Sequence, residues 1–457
     1  MVPGGDRGDP TMPPDPGTFH PESGTVVSFK EGFRKPQVAH TSATGLESIR
    51  TPQGSGTPGH FTHFTRKTAM QFIDLGMQQK RIRSNLEDRI RQVLDHGQYI
   101  MGPEVAMLEK ALSQYTGTAH AVGCASGTDA LLMALMAYDV GPGDAIFTTP
   151  FTFMATAEVI SLLRATPVFV DIDPITFNLD AEHVERALTA LVRDRPGDYP
   201  LPRGLGDRKL TPRGVIGVDL YGLPADYESL NSLAEKHGLF VLQDAAQSFG
   251  AEKNGKKACA MAGIGCTSFF PAKPLGGYGD GGMCFTNNAD LAEKLRSVRV
   301  HGQGSHKYEN VRIGVNGRLD TLQAAILLEK FEVFPEELSL RQRVARRYGD
   351  LLGAEDSPVI PPRIPRDCVS AWAQYTVTAR DQKTRSQLQG RLKEAGIPTA
   401  VYYPTPLHLQ PAYAHLGYER GDFPRSEDCA CRVFSLPMHP YLSEEEQEAV
   451  AEAILGR

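Results

Sequence analysis

Apolar and polar residues follow one another in two different rhythms along this chain, and the change of rhythm divides it. Val105, Leu108, Leu112 and Tyr115 recur at three and four residues after Gly102 and Pro103, the spacing of an amphipathic helix. A second helix is predicted from Gly127–Thr128 through Met136. Beyond it come short apolar runs of strand length: Asp144–Thr148, Pro167–Val170, Val215–Val218 and Leu239–Leu242. Helical patterns at Ala181–Leu191 and Tyr227–His237 lie among them. Unbroken apolar strands in alternation with helices predict an α/β fold, a mostly parallel sheet covered on both faces.

From about Glu332 the rhythm changes. A charged helical segment, Glu336–Leu352, leads to a strand-like Ala373–Val377 and a helix at Thr384–Ala395. The last helix opens on a capping box, Ser443 with Glu446. These elements predict a smaller α+β domain over 332–457, packed on a large domain over 70–331. Residues 1–69 are rich in Pro, Gly and Ser and offer few apolar side chains to bury. They are expected to be a disordered extension, although Met70–Leu75 also reads as a natural start. The polar, Pro- and Gly-rich stretch 193–213 interrupts the α/β pattern and is expected to be a surface insertion.

Composition narrows the function classes. A formal net charge of −6 over 457 residues leaves no electrostatic footprint for nucleic acid. No apolar run reaches the ~18 residues of a membrane span. The seven cysteines form no framework, and Cys429 and Cys431 lack metal-site spacing, so no metal site is expected. They read as free thiols of a reducing, cytoplasmic compartment.

The chemistry concentrates in Ser268–Gly282, where a single lysine, Lys273, stands between a turn and a glycine-rich run. Upstream, Asp244 closes the apolar run that begins at Leu239, and Gln247 follows it. A lysine on a tight turn and a carboxylate at a strand end suit pyridoxal phosphate. The lysine forms a Schiff base with the cofactor aldehyde, and the carboxylate keeps the ring nitrogen protonated. The small-residue turn Gly123–Leu131 feeds a helix, so free amides at Gly127 and Thr128 predict a phosphate cradle. Ser268 is placed to donate to the same phosphate. Phe153 follows a strand, where it either stacks on the cofactor ring or belongs to the core. Asn316 and Arg318 stand at a helix entrance, where a guanidinium binds carboxylates in two-point fashion.

Asp244–Gly250, Ser268–Gly282, Gly127–Leu131 and Gly314–Arg318 together resemble the DegT/StrS-type sugar-nucleotide aminotransferases, from about Met70 to the end of the chain. The resemblance implies the type I pyridoxal phosphate aminotransferase fold. Val298–Gln303 and Ser435–Pro440 narrow it to enzymes acting on UDP-2-acetamido-2-deoxy-3-oxo-glucuronate, in which L-glutamate donates the amino group. It implies Lys273 as catalytic lysine, Asp244 on the pyridinium and Gln247 on the ring hydroxyl. Gly127, Thr128 and Ser268 hold the phosphate. It implies a homodimer with shared sites, Asn316 reaching the phosphate and Arg318 the substrate carboxylate from the neighbouring subunit, with Tyr403 and His408 on the sugar side. The same chemistry on a dTDP-3-keto or GDP-4-keto sugar, and a non-catalytic scaffold or regulator, are the alternatives. The chain departs from the family pattern at Tyr402, in the length of 193–213, and at Gln243, which is expected to point away from the cofactor.

Overall fold

The computed structural model describes residues 70–457 except 205, 207 and 208. The expected extension over 1–69 lies outside the described residues. A seven-stranded sheet forms the centre. Its strands are β1 (His120–Cys124), β2 (Asp144–Thr148), β3 (Thr166–Phe169), β4 (Thr211–Val218) and β5 (Phe240–Asp244). After the two-residue strands β6 (Glu252–Lys253) and β7 (Lys256–Lys257) come β8 (Ile264–Ser268) and β9 (Gly282–Thr286). The spatial order is β1-β9-β8-β5-β4-β2-β3. Neighbours from β8 to β3 pair in parallel, and β9 alone runs against its neighbours. Reversal from β8 into β9 requires no crossover helix, so residues 269–281 are free to form the glycine-rich turn that carries Lys273.

Helices cover both faces. In order they are α1 (Leu75–His96), α2 (Pro103–Thr116), α3 (Gly127–Ala137), α4 (Ala155–Leu162), α5 (Ala181–Val192), α6 (Tyr227–His237) and α7 (Ala289–Val298). Then follow α8 (Thr321–Leu352), α9 (Gln382–Glu394), α10 (Pro424–Arg432) and α11 (Glu444–Leu455). On one face Phe147, Val168 and Val215 pack with Val184 and Leu188 of α5 and Leu230 of α6. On the other, Ile146, Ile216 and Leu242 meet Leu131 and Leu135 of α3 and Val159 of α4. Central strands are therefore apolar on both sides, which is why they read as unbroken runs.

A separate core joins Val344, Tyr348 and Leu352 of α8 to Leu388, Phe434 and Ile454. Its strands are β10 (Val359–Ile360), β12 (Tyr375–Ala379) and β13 (Val433–Leu436); β11 (Cys368–Val369) pairs with β6 instead. The helix expected from Glu336 starts at Thr321 and runs unbroken through Pro335, across the expected boundary at 331/332. Ile326, Leu327 and Phe334 are buried there, and that burial outweighs the backbone hydrogen bond Pro335 withholds. The stretch 193–213 is not merely a surface insertion. Tyr199 and Leu201 enter the core, and Arg203 N and Gly204 N both donate to Leu416 O.

Candidate active site

The C-terminal ends of β2, β4, β5 and β8 open onto one cleft of about 440 Å³. This is where open α/β sheets receive ligands. Its wall includes Ser126, Gly127, Thr128, Phe153, Asp244, Gln247, Ser268, Lys273 and Tyr403. Eight of the nine sequence-derived residues expected in a chain's own cleft thus stand in that wall, all but His408, together with Tyr402.

The cradle end is built by α3. Ser126 caps it, its hydroxyl accepting from Asp129 N at 3.0 Å, which leaves the amides of Gly127 and Thr128 without an intrahelical partner. A Cβ on Gly127 would lie 2.6 Å from Ser268 Cβ, so only glycine lets β8 approach the helix start this closely. Ser268 Oγ accepts from Phe270 N at 3.2 Å, which keeps its own proton available for a ligand. The Gly127 and Thr128 amides and the Ser268 hydroxyl therefore offer three donors at one end of the cleft, where a phosphate fits.

At the other end Asp244 is buried at the exit of β5. Thr156 Oγ1 donates to Oδ2 at 2.8 Å, and Ala246 N donates to Oδ1 at 3.2 Å. Burial pushes the carboxyl upward, opposed by these two donors and by Lys273. Burial likewise lowers Lys273, with Asp244 opposing it. An amine whose neutral form is favoured in this way is suited to attack an aldehyde. Gln247 bridges the wall: Oε1 accepts from Tyr221 N at 2.7 Å and Nε2 donates to Tyr403 OH at 3.2 Å. The Phe153 ring is 57% exposed and its centroid lies 6.2 Å from that of Tyr403. It faces the cleft rather than the core.

Three expected site residues lie elsewhere. Asn316 Oδ1 accepts from Arg318 Nε at 3.1 Å and Nη2 at 2.6 Å, and neither residue lines the cleft of its own chain. His408 is also absent from the wall: it is buried, its Nε2 pairs with Glu427 at 3.1 Å, and its ring packs edge-on against Phe423. The sequence pattern around His408 did not disclose Glu427, nineteen residues on, as its partner. Conversely, Thr152, Phe270, Gln374 and Asp280 line the cleft without having been singled out. Threonines on a strand exit carry no periodic signal that separates a ligand wall from a core.

A carboxylate, a lysine and a phosphate cradle within one cleft fit pyridoxal phosphate: donors at one end, a buried anion at the other, and an amine between. Comparison with known proteins agrees. Residues 80–455 match the model of the DegT/DnrJ/EryC1/StrS aminotransferase family. The chain is 48% identical to the Pseudomonas aeruginosa protein named UDP-2-acetamido-2-deoxy-3-oxo-D-glucuronate aminotransferase, over 82% of this chain and 96% of that one. It is 42% identical to a pleiotropic regulatory protein of Geobacillus stearothermophilus, over 84% of this chain and 96% of that one. Among solved structures, a DegT DnrJ EryC1 StrS aminotransferase from Brucella abortus superposes with a TM-score of 0.79 at 47% identity, covering 85% of this chain and 99% of that one. With the match spanning the cleft, both flanking cores and nearly all described residues, the chain belongs to the DegT/DnrJ/EryC1/StrS family of pyridoxal-phosphate-dependent sugar aminotransferases.

Proposed function

We propose that this enzyme moves the amino group of L-glutamate to the C3 ketone of a UDP-linked 2-acetamido-2-deoxy-3-oxo-uronic acid, as a homodimer in the cytoplasm, for bacterial surface polysaccharide precursors. The observation that carries the chemistry is the pairing of Lys273 with Asp244 in one cleft. Substrate choice rests on the likeness to the Pseudomonas aeruginosa relative. The likeness to a regulatory protein does not favour a non-catalytic role, because Lys273 and Asp244 are both retained.

Pyridoxal phosphate supplies an aldehyde that takes up the amino group and a ring that stores the electrons released at the reacting carbon. Gly127, Thr128 and Ser268 would bind its phosphate, and Asp244 would pair with its ring nitrogen. Gln247 would meet its ring hydroxyl, and Phe153 would stack on the ring. Lys273 would hold the aldehyde carbon through its Nζ. Freed by an incoming glutamate, its Nζ would take the proton from the donor's α-carbon, and water would supply the keto oxygen of the 2-oxoglutarate released. In the second half of the cycle Nζ would deliver a proton to C3 of the sugar, the donor's nitrogen replacing the ketone oxygen, which leaves as water.

Charge supports a shared site. Among the described residues, Lys273 is the only basic side chain in the cleft wall, beside Asp244 and Asp280. A cofactor phosphate, a diphosphate and a carboxylate need more positive charge than this. Arg318, outside its own cleft, supplies that charge from a second copy, and Asn316 adds a neutral amide donor. Exposed apolar side chains in the loop between α7 and α8, Tyr308 at 87% and Ile313 at 85%, suit a surface covered by that copy. All seven cysteines are free thiols, in keeping with a reducing compartment.

Purified, cofactor-loaded protein given glutamate and a panel of UDP-, dTDP- and GDP-linked keto sugars tests the substrate. Mass spectrometry is expected to find amination of the UDP-3-keto uronate alone. Amination of a neutral keto sugar in preference would overturn the pathway while leaving the cofactor chemistry in place.

A further inference from the structure

Behind Asp244 runs a short chain of hydroxyls. Thr156 Oγ1, on α4, lies 2.8 Å from Asp244 Oδ2, and Thr152 Oγ1 lies 3.0 Å from Thr156 Oγ1. All three residues are buried. An ionised carboxylate only accepts, so the single hydroxyl proton of Thr156 is committed to Oδ2. Thr152 must then donate to Thr156. Its own oxygen therefore presents only lone pairs to the cleft it lines. The direction of every hydrogen bond in the chain is fixed by the charge at its end.

We propose that Thr152 and Thr156 are positioning residues that hold the Asp244 carboxylate ionised and oriented toward the cofactor's ring nitrogen. This rests on the reading of Asp244 as that nitrogen's partner. The surroundings of Asp244 leave few other groups for the task. Lys273 is the cation that acts on it. Tyr227, Tyr403, Cys259 and Cys266 also feel its charge, and burial raises all four, so they stay protonated and neutral. Against the burial that favours the neutral acid, Thr156 is the leading counterweight, followed by the Ala246 amide and then Lys273. A buried carboxylate deprived of such a donor carries the desolvation cost of an unpaired charged oxygen. The carboxyl then takes up a proton more readily. In that form it no longer favours a protonated ring.

The test uses the full chain stripped of cofactor and compares Thr156→Val, Thr156→Ser, Thr152→Val and Asp244→Asn. Affinity for pyridoxal phosphate is titrated by protein fluorescence from pH 5.5 to 8.5, and thermal unfolding of the cofactor-free protein is recorded alongside. Thr156→Val is expected to weaken cofactor affinity about tenfold at pH 7. Its acid limb of cofactor association should move up by about one pH unit, because the anion is required and its proton affinity has risen. Thr156→Ser, which keeps the hydroxyl, should restore both values. Thr152→Val should shift both in the same direction by less. Wild-type affinity and an unshifted acid limb in Thr156→Val, with affinity lost in Asp244→Asn, would overturn the proposal alone. Wild-type affinity in Asp244→Asn would overturn the reading of Asp244 itself. Should Thr156→Val fail to fold, the acid limb of Thr152→Val decides, and an unshifted limb there also counts against the proposal.

Discussion

Gln243 Nε2 donates to Asp219 Oδ2 at 2.8 Å, so the residue just before Asp244 faces away from the cleft and braces a second buried acid. Asp219 also accepts from Ser248 Oγ, Tyr227 OH and Ala225 N, yet burial still raises its carboxyl to about 6. Gln243→Glu removes a donor and sets two carboxyls together. We expect a loss of about 2–3 kcal/mol of folding stability. Both acids would have folded-state pKa values above their unfolded ones, so the protonated forms are the ones the fold favours. The deficit should therefore be least near pH 5 and grow as pH rises through 6. Thermal unfolding at pH 5 and pH 8 measures it; an equal deficit at both would contradict the pairing.

Lys273→Ala should lower turnover by at least about 10²–10⁴-fold, the range for loss of a positioned proton-transfer group. The visible absorption of the loaded protein should also revert to that of free cofactor. Turnover near the wild-type rate would remove Lys273 from the mechanism.

Arg318→Ala should impair a uronic acid substrate far more than a neutral analogue, because a guanidinium recognises carboxylate by two-point hydrogen bonding. If the arginine serves the other subunit's cleft, mixing the Lys273→Ala and Arg318→Ala proteins in equal amounts should restore activity. Random exchange places one intact site in half of the dimers, about a quarter of all sites. No recovery after subunit exchange would mean that Arg318 acts within its own chain.

His408 and Glu427 form a buried pair outside the cleft. Burial lowers the imidazole and Glu427 opposes the shift. His408→Ala should cost about 1–3 kcal/mol of stability, since it leaves a mostly buried carboxylate short of a partner. KM for the sugar nucleotide should stay within about twofold. A large rise in KM with unchanged melting would return His408 to the substrate wall.

The strand pattern carried most of the fold into view, because two-sided burial writes itself as unbroken apolar runs. Tyr227–His237 is the same helix in both readings, and the Ser443–Glu446 box opens α11 as its side chains dictate. Pro335 hid the extent of α8, since a proline's local effect is visible in sequence and the burial that overrides it is not. In the site, Lys273, Asp244 and the α3 cradle announce themselves through glycine and strand-end context. Thr156 does not: its contact with Asp244 spans 88 positions and depends on how α4 lies over β5. His408 misled for the opposite reason, as a histidine beside a tyrosine–proline turn resembles a wall residue until Glu427 is seen to hold it.

Helix α8 has a mechanical meaning beyond its length. Ala324, Leu327 and Phe334 near its start pack with Phe269 and Leu275, which flank the lysine turn, while Val344, Tyr348 and Leu352 anchor the core of the C-terminal elements. One rigid rod thus ends in two separate cores. A displacement of α8 as one body would therefore move both the C-terminal core and the bed on which Lys273 sits.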